Sequence, residues 1–250
     1  MEMIIVAAGQ GTRLRPLTND KPKCMVEYNS KPIINYILEV AKECNIQDIA
    51  IVNGYKKEVL ENHLRDKNIT FFTNHNFDTT NMVSTLFKAK EFMNDDIIIS
   101  YADIIYKKEI LDKLINSQDN FSVVVDEGWK ELWSLRMENP LDDAETLKVQ
   151  DGNIVELGKK PNSYSEIEGQ YIGLMKISKS AIPKVIKYYE SLDKDMLYDG
   201  QDYDNMYMTS LIQMIIDNLM DVKPIFINAG WIEIDSVEDL QIYTRKNIKF

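Results

Sequence analysis

The sequence predicts an α/β protein: a mostly parallel, doubly wound sheet that carries a smaller β-rich insertion. Three patterns point to it. Up to Ile115, short apolar runs rich in β-branched residues alternate with segments whose apolar residues recur at helical spacing, as parallel strands joined by crossover helices require. Gly9, Gly54, Asn74 and Asp103 each follow one of the predicted strands, and in such sheets ligands bind beyond the carboxyl ends of the strands. After residue 120 the alternation gives way to a polar, aromatic stretch followed by a hairpin-like pair of runs.

Met3–Ala8 reads as a buried strand, too short and too β-branched for a helix, and glycines close it. Pro32–Cys44 is a helix because Ile33, Ile34, Ile37, Leu38 and Ala41 recur at helical spacing. Ile49–Val52, Ile69–Phe72 and Ile97–Ala102 follow as strands, separated by helices over Lys57–Arg65 and Met82–Met93. Glu109–Ile115 is a helix and Phe121–Val125 a strand, whereas Trp129–Thr146 has no clean period and is expected to be an irregular insertion. Leu147–Val149 and Ile154–Leu157 flank a turn at Asp151–Gly152, which makes a hairpin. Gln170–Ile177, Val222–Ile227 and Trp231–Ile234 read as strands, and Ala181–Leu192, Met206–Leu219 and the closing Val237–Phe250 as helices. No internal repeat or low-complexity linker divides the chain, so the second half is expected to pack on the first as one domain over residues 1–250.

Composition bounds the function without naming it. With 250 residues, 44% of them hydrophobic and 28% charged, the chain has the make-up of a globular protein able to bury a core. A net charge of -11 argues against a general nucleic-acid binder, which needs a basic face. Two cysteines, Cys24 and Cys44, give no disulfide framework, no apolar run is long enough to span a membrane, and the N-terminus lacks a secretory pattern. A reducing cytoplasm is the expected location. Cys24 lies just past the first loop, where inert packing is the simpler reading.

That first loop holds the strongest chemical signal. Gly9, Gln10 and Gly11 are expected to take positive φ and expose backbone N–H groups around an anion, with Thr12, Arg13 and Arg15 adding donors and charge. Lys21, Pro22 and Lys23 add a rigid, basic bend. A dinucleotide fingerprint would need a glycine where Leu14 stands, and a P-loop would close on Gly-Lys-Ser/Thr; neither is present.

The string AAGQGTRLRPLTNDKPK, Ala7 to Lys23, resembles the signature of the sugar-nucleotidyltransferase superfamily, which joins a nucleoside monophosphate to a phosphorylated acceptor and releases pyrophosphate. The resemblance implies a Rossmann-like sheet, with the nucleotide held by residues 1–120 and the acceptor by residues 121–250 and the closing helix. It implies that Ala7, Ala8, Gly9, Gly11 and Thr12, with Ala102, line the nucleotide, that Arg13 holds the triphosphate, and that Lys23 reaches the phosphates. Asp103 ends the run DIIISYA and Asp235 lies in EIDSVEDL; taken alone, each fits a helix cap or turn residue equally well. By resemblance the pair become Mg²⁺ ligands, a role that carboxylates share with substrate phosphates in nucleotide sites.

Where sugar-nucleotide enzymes of this superfamily usually carry Gln-Gly, this chain has Thr79, Thr80, Asn81, Met82, Val83 and Ser84. TNMVSTL, SYAD, NPLDDAETL, GQYIGL and EIDSVEDL together resemble cytidylyltransferases that act on phosphocholine, phosphonates or glutamine phosphate in surface polysaccharide or phosphonate decoration. The implied partners are CTP and a small phosphorylated or phosphonate metabolite, with no nucleic acid or membrane, and a homo-oligomer is compatible with them. Thr80, Asn81 and Ser84 would then contact the base, although the same residues fit a plain helix cap.

Arg136, Lys159 and Lys160 are candidates for an acceptor phosphate, and Asp142, with Asp143 and Glu145, for an acceptor amine. Tyr171 and Trp231, with Trp129, Trp133 and Tyr207, offer aromatic faces to a cation, or belong to the core. Three rivals differ in what they require. A nicotinamide oxidoreductase needs a ribose-binding acid where Asn53-Gly54 stands. A nucleotide-sensing module would have no use for Asp103 and Asp235, and a sugar 1-phosphate enzyme would use UTP or dTTP.

Overall fold

The computed structural model describes residues 1–250. In chain order its elements are β1 (Glu2–Ala7), β2 (Glu27–Tyr28), β3 (Lys31–Pro32), α1 (Ile33–Glu43), β4 (Asp48–Asn53), α2 (Lys57–Leu64), β5 (Ile69–Thr73) and α3 (Met82–Phe87). Then come β6 (Ile97–Tyr101), β7 (Ile104–Tyr106), α4 (Lys108–Ile115), β8 (Phe121–Asp126), α5 (Trp129–Arg136), β9 (Leu147–Gln150) and β10 (Asn153–Leu157). The chain closes with β11 (Gln170–Ile177), α6 (Ile182–Ser191), α7 (Met208–Asn218), β12 (Lys223–Ile227), β13 (Trp231–Glu233) and α8 (Val237–Lys246).

Seven strands form the central sheet in the order β12-β8-β11-β6-β1-β4-β5. Neighbours run parallel except β11, which lies antiparallel between β6 and β8. Alternation along β1 shows why the sheet is buried on both faces: Met3, Ile5 and Ala7 point into one apolar cluster, Ile4 and Val6 into the other. The first cluster takes the inner faces of α1, α2, α4 and α5, and the second those of α3, α6 and α7 with the β9–β10 hairpin. That is the predicted doubly wound arrangement, and strands from both halves of the chain share its sheet. No helix is long and apolar enough to cross a membrane.

Three expected elements change, the first being the closing helix expected over Val237–Phe250, which stops at Lys246 where Asn247 turns to φ +52°. The helix expected over Met82–Met93 stops at Phe87, and Lys90–Phe92 forms a separate 3-10 turn. The irregular insertion contains α5, which packs Trp129 and Trp133, one helical turn apart, into the core, and a 3-10 turn at Pro140–Asp142. Eight residues with two buried side chains are too few to show a period in the sequence.

Candidate active site

The loop after β1 is built by one glycine. Gly11 sits at φ +64°, and a Cβ there would approach Lys23 Cβ to 2.9 Å, so glycine lets the loop lie against the segment bearing Lys23. Gly9 does not adopt positive φ, which corrects the expectation for the whole turn; a Cβ on it would meet nothing within 4 Å, in the mouth of the cleft. Thr18 Oγ1 donates to Gly11 O at 2.8 Å, and Tyr55 N–H to Ala8 O at 3.1 Å, fastening the loop at both ends.

Behind the loop opens a cleft of about 550 Å³, walled by Ala7, Ala8, Gly9, Thr80, Asn81 and Ala102 and ending at Lys23 and Asp103. Asp103 stands two residues past the end of β6, between β6 and β7. Asp235 reaches it through pairing that the sequence reading did not contain: β7, three residues long, runs antiparallel to β13, and Ile234 N–H donates to Asp103 O at 2.9 Å. Lys23 Nζ lies 2.6 Å from Asp103 Oδ2 and 2.5 Å from Asp235 Oδ1, and Arg13 pairs with the other Asp235 oxygen from a largely exposed position. The helix-cap alternative for Asp235 does not hold, because Ser236 caps α8 and Asp239 completes its capping box.

Glu233, which the sequence reading passed over, completes an acidic cluster. Oxygens of Asp103, Glu233 and Asp235 lie within 4.8 Å of one another. Glu233 and Asp235 are two residues apart at the end of a strand, the spacing that returns side chains to one face, and that signal was available in the sequence. Burial opposes charge on Lys23, but Asp103 and Asp235 outweigh it and hold the ammonium above its ordinary pKa. Burial also opposes charge on Asp235, yet Lys23, Arg13 and Arg136 hold it below the ordinary carboxylate range. Glu233 is pushed up to about 7 by burial, against Arg136, with Asp103 and Asp235 adding repulsion. Asp103 Oδ1 is buried with no hydrogen-bond partner. An orphaned carboxylate oxygen among hard oxygen donors fits a divalent cation such as Mg²⁺.

The remaining candidates divide. Thr80 and Asn81 line the cleft while also serving the local fold: Thr80 Oγ1 accepts from Asn74 Nδ2 at 2.8 Å, and Asn81 Oδ1 caps α3 through Met82 N–H at 2.8 Å. Ser84 is buried in α3 away from the cleft wall, where Thr85 stands instead, and Thr12 is exposed in the 3-10 turn Thr12–Leu14. Cys24 is buried at the cleft wall, its thiol pushed up to about 12 by burial, which leaves it protonated and inert.

On the second-half side, Lys159 and Lys160 join Glu145, Asp199 and Tyr207 around an open hollow of about 690 Å³. Lys160 Nζ donates to Leu141 O and Asp142 O, both at 2.6 Å, and Lys159 pairs with Glu156 at 3.1 Å. The Asp142 carboxylate is outside that hollow, exposed and bonded to Asn139. Glu145 is pushed up to about 7 by burial and by Asp143 and Asp199, with a hydrogen bond from Thr209 opposing. Tyr171 stands edge-on to Tyr101 of the cleft wall, 5.9 Å between ring centres, with its buried hydroxyl unpartnered. Arg136 and Trp231 are corrections. The guanidinium is 3% exposed and bound by Glu233 and Asp239, and the indole is buried with Nε1–H donating to Asp126 Oδ2 at 2.8 Å, so neither faces the hollow.

The sequence model of the nucleotidyl transferase family matches residues 2–132. A protein of Campylobacter jejuni subsp. jejuni serotype O:2 named CTP:phosphoglutamine cytidylyltransferase is 50% identical over 98% of this chain and 100% of its own length. The choline-phosphate cytidylyltransferase of Streptococcus pneumoniae is 36% identical over 47% of this chain and 51% of its own. Among solved structures, the CTP:phosphocholine cytidylyltransferase of Streptococcus pneumoniae shares the fold at TM-score 0.75 and 22% identity, covering 99% of each chain. The inositol-1-phosphate CTP transferase of T. maritima does so at 0.74 and 21%, covering 98% of this chain and 95% of that one.

Proposed function

The chain belongs to the nucleotidyl transferase family, and on that premise we propose that it moves CMP from CTP to a small amine-bearing phosphate or phosphonate and releases pyrophosphate. The observation that carries this is the likeness, along the whole chain, to the relative named CTP:phosphoglutamine cytidylyltransferase. Glutamine phosphate is accordingly the first acceptor to test, with 2-aminoethylphosphonate and phosphocholine beside it. The reaction is placed in the cytoplasm, with the nucleotide held by residues 1–120 and the acceptor by residues 121–250.

In this reading the loop N–H groups and Arg13 hold the triphosphate, and Asp103 and Asp235, with Glu233 beside them, hold Mg²⁺. The ion, when bound, supplies neutralisation of phosphate charge. Lys23 moves from the carboxylates toward the phosphates and keeps its positive charge, burial opposing that charge and the surrounding anions outweighing it. A phosphate monoester is mostly dianionic at neutral pH, its second pKa being ~6. Its oxygen therefore attacks the α-phosphorus without a general base, in line with the departing pyrophosphate. His63 and His75, both away from the cleft, have no part to play. Glu145 and Tyr171 meet the amine, and Lys159 and Lys160, on the same hollow as Glu145, are kept for the acceptor phosphate.

The test supplies CTP and Mg²⁺ and compares the three amine-bearing acceptors with glucose 1-phosphate for pyrophosphate release and a CMP adduct. Glutamine phosphate is expected to give the highest kcat/KM. If glucose 1-phosphate leads, with CTP, UTP or dTTP, and none of the three gives product, the sugar-nucleotide reading takes its place.

A further inference from the structure

We propose that Arg136 is a positioning residue that keeps Glu233 and Asp235 in a metal-binding arrangement once Lys23 has left them; the inference rests on the metal reading above. Three carboxylates with oxygens inside 4.8 Å repel one another and need counter-charge. Three cations supply it from two sides. Lys23 and Arg13 approach from the cleft, and the proposed reaction needs both on phosphates. Arg136 comes from behind, and with 3% of its side chain exposed it has no other partner to move to.

Its contacts reach Glu233 directly and Asp235 through Asp239. Nη1–H donates to Glu233 Oε2 at 2.8 Å and Nε–H to Asp239 Oδ1 at 2.9 Å. Asp239 passes the constraint on: its Oδ2 accepts from Asp235 N–H at 3.1 Å and Ser236 N–H at 2.9 Å, fixing the backbone from which the Asp235 carboxylate projects. The planar fork engages two carboxylates in fixed directions, which a lysine ammonium does not reproduce. Trp133, one turn earlier on α5, lies against the guanidinium with 5.6 Å from its carbon to the ring centre, which limits its rotamers. The insertion that the sequence left without structure thus supplies the brace for the carboxylates on the far side of the cleft.

The experiment titrates Mn²⁺ into the full chain with CTP present, read by electron paramagnetic resonance, for wild type, R136M and R136K. Loss of a group that orients ligands typically weakens metal binding ~10- to 100-fold, and R136M is expected in that range. R136K should fall between R136M and wild type, while CTP binding in chelator is the same for all three. A folded R136M that binds Mn²⁺ as wild type does overturns the inference. Should R136M fail to fold, R136K decides, and wild-type Mn²⁺ affinity in it overturns the inference equally. A wild-type chain that binds no Mn²⁺ overturns the metal reading beneath it, and this inference with it.

Discussion

The loop after β1 and the hollow beside Glu145 both gather charge around a cavity, but they are built in opposite ways. The loop is one contiguous stretch, Ala7 to Lys23, held by a left-handed glycine and pinned at both ends by backbone acceptors. The hollow draws Glu145, Gly158–Lys160, and Asp199 with Tyr207 from three separate connections, and both of its lysines are already engaged by carbonyls or a glutamate. A contiguous site commits a chain to one ligand class. A dispersed site sets its properties through burial, as the raised Glu145 shows, and can be rebuilt without disturbing the first. In the proposed reaction the nucleotide end is therefore the fixed part and the acceptor end the variable one.

The heaviest test of that division falls on the carboxylates between the two regions. D103N and D235N should each lower Mg²⁺-dependent turnover at least ~100-fold, since several kcal/mol of charge stabilisation is at stake. Circular dichroism should show the fold intact, and near wild-type activity in either folded variant would break the assignment. Next, R13A and K23A should each reduce kcat/KM by roughly tenfold or more, as charged contacts to phosphate are worth ~1.5–3 kcal/mol. The order of preference among nucleotides should not change, and a switch away from CTP would contradict the separation of charge from base recognition.

E145Q sharpens the comparison from the other side. It should raise the KM for an amine-bearing acceptor by roughly tenfold, the value of one charge-assisted hydrogen bond, and leave the KM for CTP unchanged. The same variant carries a pH signature. Between the ordinary value of 4.5 and about 7, the folded chain keeps a proton on Glu145 that the unfolded chain has released. That contribution to stability is full below 4.5 and is lost as the pH rises through 7. Asp143, Asp199, Lys159 and Lys160 surround the group, and replacing Glu145 alone isolates its share. Wild-type melting temperature should fall more steeply than that of E145Q over this window, and parallel curves would remove Glu145 from the account.

The smallest effects compare two glycines of the loop. G11A forces an L side chain into the left-handed region against Lys23 and should cost ~1–2 kcal/mol of stability, read by denaturant titration. G9A should leave stability nearly unchanged, because its methyl meets nothing within 4 Å, and should instead raise the KM for CTP from within the cleft. Equal losses of stability in the two variants would contradict the difference between them.

Local features of the sequence reached most of the fold. β-branched runs, helical spacing and the residues after strands placed nearly every element, and the carboxyl ends of β1 and β6 converged on one cleft. What stayed hidden was long-range. Asp235 meets Asp103 through β7, a three-residue strand whose partner lies near the other end of the chain. Arg136 looked like a free cation because its polar neighbours sit on the exposed side of α5, while its own guanidinium turns inward to Glu233 and Asp239. The reversed direction of β11 within the sheet likewise has no local signature, since parallel and antiparallel strands buried on both faces share the same apolar content.

That reversed strand also bears on how the protein is made. Until the ribosome has delivered residues Gln170–Ile177, β6 has β1 on one side and nothing on the other, and its backbone N–H and C=O groups along that edge have no strand to pair with. The nascent first half therefore emerges with β6, the strand that leads to Asp103, open to mispairing, and its sheet is completed only by non-local contacts, which form slowly. Synthesis of the second half is thus the event that protects the first.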